Sequence, residues 1–205
     1  MRPSDLPRLR AKTLKEINFA LSHYKKTVAK NSDFQLIWYI GMMAAVDMHA
    51  TWERFAEGRL IVALNHDPSP FITANLIRGI KRIPVGLATV LVRSGARYFD
   101  FRSTGELIDK GDRLLGKSSN PFRKIPEADR KYLDTLSAVR NCIVHRSTLA
   151  FSAYKRSIRK TYGIKSAPEP EEFLAAVDRR VESPARNDSR LHGLATVLRK
   201  TIRHS

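Results

Sequence analysis

The residues best suited to chemistry stand together at Arg140-Asn141-Cys142-Ile143-Val144-His145. On a helix, Asn141 and His145 are four apart and project from one face about 40° from each other, with Arg140 about 100° from Asn141 at the edge of that face. An imidazole titrates near neutrality and moves protons, a guanidinium holds two phosphate oxygens with fixed charge, and an amide orients a neighbour or a substrate oxygen. The set points to phosphoryl chemistry. Asp134 and Ser137 extend the same polar face toward the start of the helix and Arg146 adds a cation just beyond it, so all three are candidate substrate contacts. Cys142 is the one cysteine and reads as a packing thiol. No spacing of metal ligands is seen, and the chemistry asks for no cofactor.

The elements that must carry these residues have a helical period. Leu14, Ile17, Leu21, Tyr24 and Val28 follow a 3-4-3-4 spacing that predicts a long first helix. Asn31, Ser32 and Asp33 supply turn and N-cap residues for a second helix reaching His66, where Asp67-Pro68 stops it. Trp38 and Trp52 on that helix read as core. A short helix is expected around Ile72–Ile80, another over Leu87–Val92 and a third from Gly105 to Gly116. Pro126, with Glu127 and Asp129 behind it, opens the motif helix Glu127–Arg146, whose core stripe is Tyr132, Leu136, Val139 and Ile143. A basic stretch follows, then a Pro/Glu-rich hinge at Ser166–Glu172 and a last helix carrying Leu191, Leu194, Leu198 and Ile202. Strand alternation is nearly absent, so the fold class is all-α, a helix bundle. Residues 1–165 form it, and 166–205 pack on the same domain.

Composition narrows the function. With 205 residues there is room for one domain, and the 42% hydrophobic content is that of a globular chain. The net charge of +17 calls for a polyanionic partner, nucleic acid before an anionic membrane surface. One cysteine excludes a disulfide framework and fits a reducing cytoplasm. The longest stretch without charge or histidine, Phe34 to Val46, is too short to span a bilayer, and basic residues scattered through the first thirty positions leave no signal-peptide core. No membrane association is expected. The surplus is uneven: residues 1–31 carry +6, 68–125 carry +7 and 147–165 carry +5, whereas 32–67 carry −3 and 126–146 carry +1. That is either a basic rim around a near-neutral groove or a set of solvated helix faces. Within 147–165, Tyr154 and Tyr162 among Lys155, Arg156, Arg159 and Lys160 either stack on unpaired bases or belong to an amphipathic helix.

The Arg-Asn-x-x-x-His spacing resembles the motif of the HEPN domain superfamily, helical proteins many of which are metal-independent endoribonucleases. Arg59/His66, Arg186/His192 and Arg199/His204 are Arg/His pairs at comparable spacing but lack the following Asn. A second point of resemblance is Ala50-Thr51-Trp52-Glu53-Arg54-Phe55, which looks like the acidic element that the family places on its second long helix. Glu53 extends the spacing Met43, Val46, Ala50 and is expected to face the interior with Arg140 as its partner, Asp47 being the second choice of acid. The resemblance covers mainly residues 33–66 and 127–160, and it implies an up-and-down bundle of the HEPN kind in which 68–125 are a helical insertion.

The resemblance implies an RNA substrate and a reaction through a 2′,3′-cyclic phosphate. His145 would serve as general base on the ribose 2′-hydroxyl or as acid on the leaving 5′-oxygen, and Arg140 would stabilise charge on the phosphorane. Asn141 would orient His145 or the phosphate, and Glu53 would position Arg140. It further implies a homodimer with the site at its interface, and a toxin or phage-defence effector restrained by an antitoxin or a neighbouring defence protein. The other class open to the same residues is a catalytically inactive module that binds RNA or a protein through its basic surface.

Overall fold

The computed structural model describes residues 5–180, 182–184 and 186–205. The spacing that starts at Leu14 lies in α1 (Asp5–Lys30), which buries Ile17, Ala20, Leu21 and Tyr24 but leaves Val28 exposed near its end. Asp33 ends the connection by accepting hydrogen bonds from the backbone N–H groups of Gln35 and Leu36, and α2 (Phe34–His66) begins there. This is the helix predicted to reach His66, and it is the centre of the molecule. Residues on most of its circumference are buried, because α1, α4, α5, α6, α8 and α9 all pack on it. A helix enclosed on so many sides needs apolar residues nearly all round, unlike the one-sided stripe of α1.

The segment 68–125 contributes α3 (Ser69–Ala74), α4 (Val85–Val92), α5 (Thr104–Ser119) and a 3₁₀ turn at Pro121–Lys124. The helix expected around Ile72–Ile80 ends six residues earlier, at Ala74, where Leu76 and then Gly79 take left-handed backbone. Phe101 and Phe122 stand edge-on to the fully buried Trp52 at 6.2 and 5.8 Å between ring centroids. Such pairs add about 0.5–1.5 kcal/mol each beyond burial. The stretch read as an insertion therefore closes the core around α2.

The motif helix is α6 (Glu127–His145), with Pro126 just ahead of it and Glu127 and Asp129 in its first turn. It ends one residue before Arg146, which adopts left-handed backbone at φ 47° and donates its N–H to the Cys142 carbonyl. A short turn leads to α7 (Thr148–Tyr162), which runs back along α6; Thr135 Oγ1 lies 2.9 Å from the hydroxyls of both Ser157 and Thr161. Gly163 closes α7 at φ 69°. The predicted hinge at Ser166–Glu172 leads instead into α8 (Pro170–Ala175), where Phe173 and Leu174 are fully buried and pin the chain down. The last helix, α9 (Arg190–His204), buries Leu191, Leu194, Leu198 and Ile202 as its spacing predicts, packing on α1, α2, α6 and α8. Among the described residues there are nine α-helices and no strand, only one isolated bridge between Val177 and Ser189, so the fold is all-α. No helix among them is long and apolar enough to cross a membrane.

Candidate functional site

Two cross-helix contacts set the register of α2 against α6. His49 Nε2 lies 3.0 Å from Ser137 Oγ, and Met42 lines one cleft with Cys142 and Ile143, so the helices run antiparallel. The first turns of α2 thus flank the last turns of α6, where the motif sits.

At that end Arg140 Nη1 donates to Asn141 Oδ1 at 2.8 Å, both side chains being half-buried. His145 and Arg146 are exposed beside them. His145 is the last helical residue, and its ring makes no hydrogen bond with any described residue. Arg140 and Asn141 are thus joined, and His145 stands one turn beyond Asn141 at the solvent boundary, with no hydrogen bond or ion pair to either among the described residues. Glu53 does not join them. At 1.5 Å rise per residue, the His49–Ser137 contact puts Arg140 opposite roughly residue 46 and Glu53 about 10 Å further along α2. The Glu53 carboxylate stands 3.5 Å from His49 Nδ1 instead, and no ion pair among the described residues links it to Arg140. The expected inward stripe is displaced by rotation: Met43 is exposed and Val46, Ala50 and Glu53 lie at the margin, while Ala45, Met48, His49, Trp52 and Ala56 fill the buried face. Asp47 is exposed and lines a cleft with Lys12, Lys15 and Glu16 of α1.

The rest of the predicted polar face is structural. Asp134 Oδ1 accepts the backbone N–H of Thr104 at 2.6 Å and so holds the first turn of α5. Ser137 is buried between His49 and the Leu133 carbonyl, to which its hydroxyl donates. Tyr154 is fully buried and donates to the Pro168 carbonyl, and burial holds its hydroxyl protonated far beyond neutral pH, so it stacks on no substrate base. Tyr162 is buried as well. Lys155, Arg156 and Arg159, by contrast, are exposed along α7, as a backbone-gathering face requires.

Sequence reasoning passed over His49. It is buried, bonded to Ser137 through Nε2 and 3.5 Å from Glu53 through Nδ1, which forms a Glu-His-Ser chain. The signal was present as His49 and Glu53 four apart on one helix. Ser137 is enclosed in the α2–α6 contact, at 3% exposure against 2% for His49, so the pair serves as a polar tie in the core. Beside the end of α6 lies a cleft of about 560 Å³ bounded by Met42, Cys142, Arg146, Phe151, Glu169 and Glu171. Burial, and then Glu169 and Glu171, push the Cys142 thiol up, which is the behaviour of a packing thiol. Among the described residues no three His, Cys, Asp or Glu side chains gather as a metal centre requires.

Compared with models of protein families, with curated proteins and with solved structures, the chain matches none.

Proposed function

We propose that this chain is a metal-independent endoribonuclease of the HEPN type. The observation that carries the proposal is the joint placement of Arg140, Asn141 and His145 at the exposed end of α6, with the guanidinium already bonded to the amide. Arg140 and Arg146 attract a phosphodiester, and the exposed Lys155, Arg156 and Arg159 of α7 extend the cationic face along the strand. The His145 imidazole removes the 2′-hydroxyl proton as that oxygen attacks phosphorus. The P–O5′ bond then breaks, the leaving 5′-oxygen takes a proton, and the products are a 2′,3′-cyclic phosphate and a 5′-hydroxyl. Arg140 stabilises the charge on the pentacoordinate phosphorus, and Asn141 fixes the Arg140 fork.

One protomer brings one motif histidine, so a symmetric dimer supplies base and acid together. The exposed apolar residues at this end of the molecule, Leu36, Tyr39 and Met43 on α2, Val144 on α6 and Leu149 on α7, suit such an interface. As a cytoplasmic nuclease the protein would act as a toxin or phage-defence effector and need restraint by an antitoxin.

Purified protein and its His145→Ala variant incubated with RNA in EDTA test the proposal. Wild type should yield cyclic-phosphate ends, and the variant should be slower by about 10²-fold or more, the usual contribution of a general acid or base. Equal cleavage by both proteins would overturn it. A second reading, a module that binds RNA or protein without cutting, draws on the separation of Glu53 from Arg140. RNA retention by both proteins with cleavage by neither would favour it.

A further inference from the structure

At the opposite end of the α6–α7 hairpin, about 22 Å from Ser147 by the length of α7, a separate cleft of about 350 Å³ is bounded by Tyr162, Val177, Asp178, Arg179, Arg180 and Arg190. Three guanidinium groups face it against one carboxylate. That carboxylate is committed: Asp178 accepts from Arg180 Nε and Nη2 at 3.0 and 2.7 Å and from Ser183 Oγ at 2.7 Å. Arg180 also donates to the Thr161 carbonyl and the Tyr132 hydroxyl. Among the described residues neither Arg190 nor Arg179 forms an ion pair, Asp178 acting on Arg190 only at longer range.

Two buried donors on residues that line this cleft have no acceptor among the described residues. One is Arg190 Nε and the other is the Tyr162 hydroxyl, on a residue only 7% exposed. The Arg190 guanidinium lies 5.7 Å from the Tyr162 ring centroid and 5.1 Å from that of Phe173. Ring faces attract the cation but give its N–H groups no oxygen to bond. Arg180 lies over the same Tyr162 ring at 4.1 Å, so two like charges share one aromatic platform. Arg190 is moreover the first residue of α9, where the helix dipole already presents positive charge. A buried unmet donor costs about 1–3 kcal/mol, and a cation at the positive end of a helix adds to that cost. An oxyanion supplies the acceptor that both donors lack and the counter-charge that Arg190 lacks, whereas Arg180 is already paired with Asp178.

We infer that Tyr162, Arg179 and Arg190 form a binding site for a phosphate-type oxyanion, in a cleft sized for a phosphorylated small molecule or the end of a strand. The inference does not rest on the nuclease proposal, because the site is remote from His145 and is tested without cleavage.

Thermal unfolding and calorimetric titration of the full chain with sodium phosphate, against sodium chloride at matched ionic strength, read it directly. Wild type should show a saturable rise in Tm with phosphate and none with chloride. Tyr162→Phe removes only an unpartnered hydroxyl and should match or exceed the wild-type Tm in chloride while binding phosphate several-fold more weakly. Arg179→Gln, on an exposed side chain, should also fold normally and weaken binding, and Arg190→Gln should weaken it at least tenfold. Equal responses to phosphate and chloride, or phosphate affinity unchanged in both Tyr162→Phe and Arg179→Gln, would overturn the site. Competition then separates the sources. Displacement of phosphate by uridine monophosphate alone supports the site as one for a free phosphorylated ligand. Displacement also by a 5′-phosphorylated RNA oligonucleotide supports it as a site for a strand end.

Discussion

Ser137→Ala separates the two roles that the face of α6 allows. Among the described residues Ser137 Oγ is the one hydrogen-bond partner of the His49 ring, since Nδ1 sits 3.5 Å from Glu53 without a hydrogen bond. Both residues are nearly sealed from solvent, at 3% and 2% exposure, so water does not replace the lost hydroxyl. Leaving a buried ring nitrogen unmet costs about 1–3 kcal/mol, and alanine returns roughly 0.5 kcal/mol through its better helix propensity. The net loss should be about 1–2 kcal/mol. In a chain of this size that lowers Tm by about 2–8 °C, measurable by circular dichroism or calorimetry. His49→Leu on the Ser137→Ala background completes a double-mutant cycle, and the second substitution should cost less than it does in wild type, because the polar tie is already broken. RNA affinity and cleavage should stay as in wild type at a temperature where both proteins are folded. An unchanged Tm together with weakened RNA binding would refute the core assignment and return Ser137 to the substrate face.

Other consequences follow from single contacts. A Cβ at Gly111 would stand 2.6 Å from the Asn120 side chain, which is buried and bonded to the Ile108 carbonyl, Asp112 and the Phe122 N–H; Gly111→Ala should therefore destabilise by about 2–3 kcal/mol in urea unfolding, despite alanine's helix propensity. Arg146 holds left-handed backbone that costs a side-chain residue about 1 kcal/mol, so Arg146→Gly should raise stability slightly while weakening RNA retention on a filter. Burial pushes the His192 imidazole down, with Lys25 and Arg199 adding to the effect, and it outweighs the upward pull of Asp188 at 2.8 Å. The unfolded chain then binds the proton more readily, so this contribution to stability is complete above about pH 6.5 and falls as pH drops through the folded value. His192→Gln should flatten that part of the stability profile between pH 7 and 5, measured by urea titration at each pH; an unchanged slope would show that other groups set it.

Local chemistry was legible in the residues alone. Periodicity located α1, α6 and α9, while Asp33 and Asp67-Pro68 bounded α2 and Pro126 marked the start of α6, because caps and amphipathic stripes act within a few residues. The Arg140-Asn141-His145 set was equally legible, since helix geometry puts residues four apart on one face, with Arg140 at its edge. Glu53 shows where that reasoning stops. Its spacing with Met43, Val46 and Ala50 defines a helix face but not which way the face turns, and α2, packed from many sides, lacks the single stripe that would have said. Rotation and register placed Glu53 beside His49 rather than Arg140, drew Ser137 into the core and set Asp134 under α5. Tyr154 and Tyr162 look alike in a basic amphipathic stretch, yet the packing of α8 buries both and leaves Lys155, Arg156 and Arg159 outside. The sequence by itself determined the helical class, the main helix boundaries and the Arg-Asn-His cluster, all products of near-neighbour geometry. Only tertiary packing decided which polar residues face water, which tie the core, and that Tyr162 meets Arg190 across residues distant in the chain, because those outcomes depend on how whole helices rotate and slide against one another.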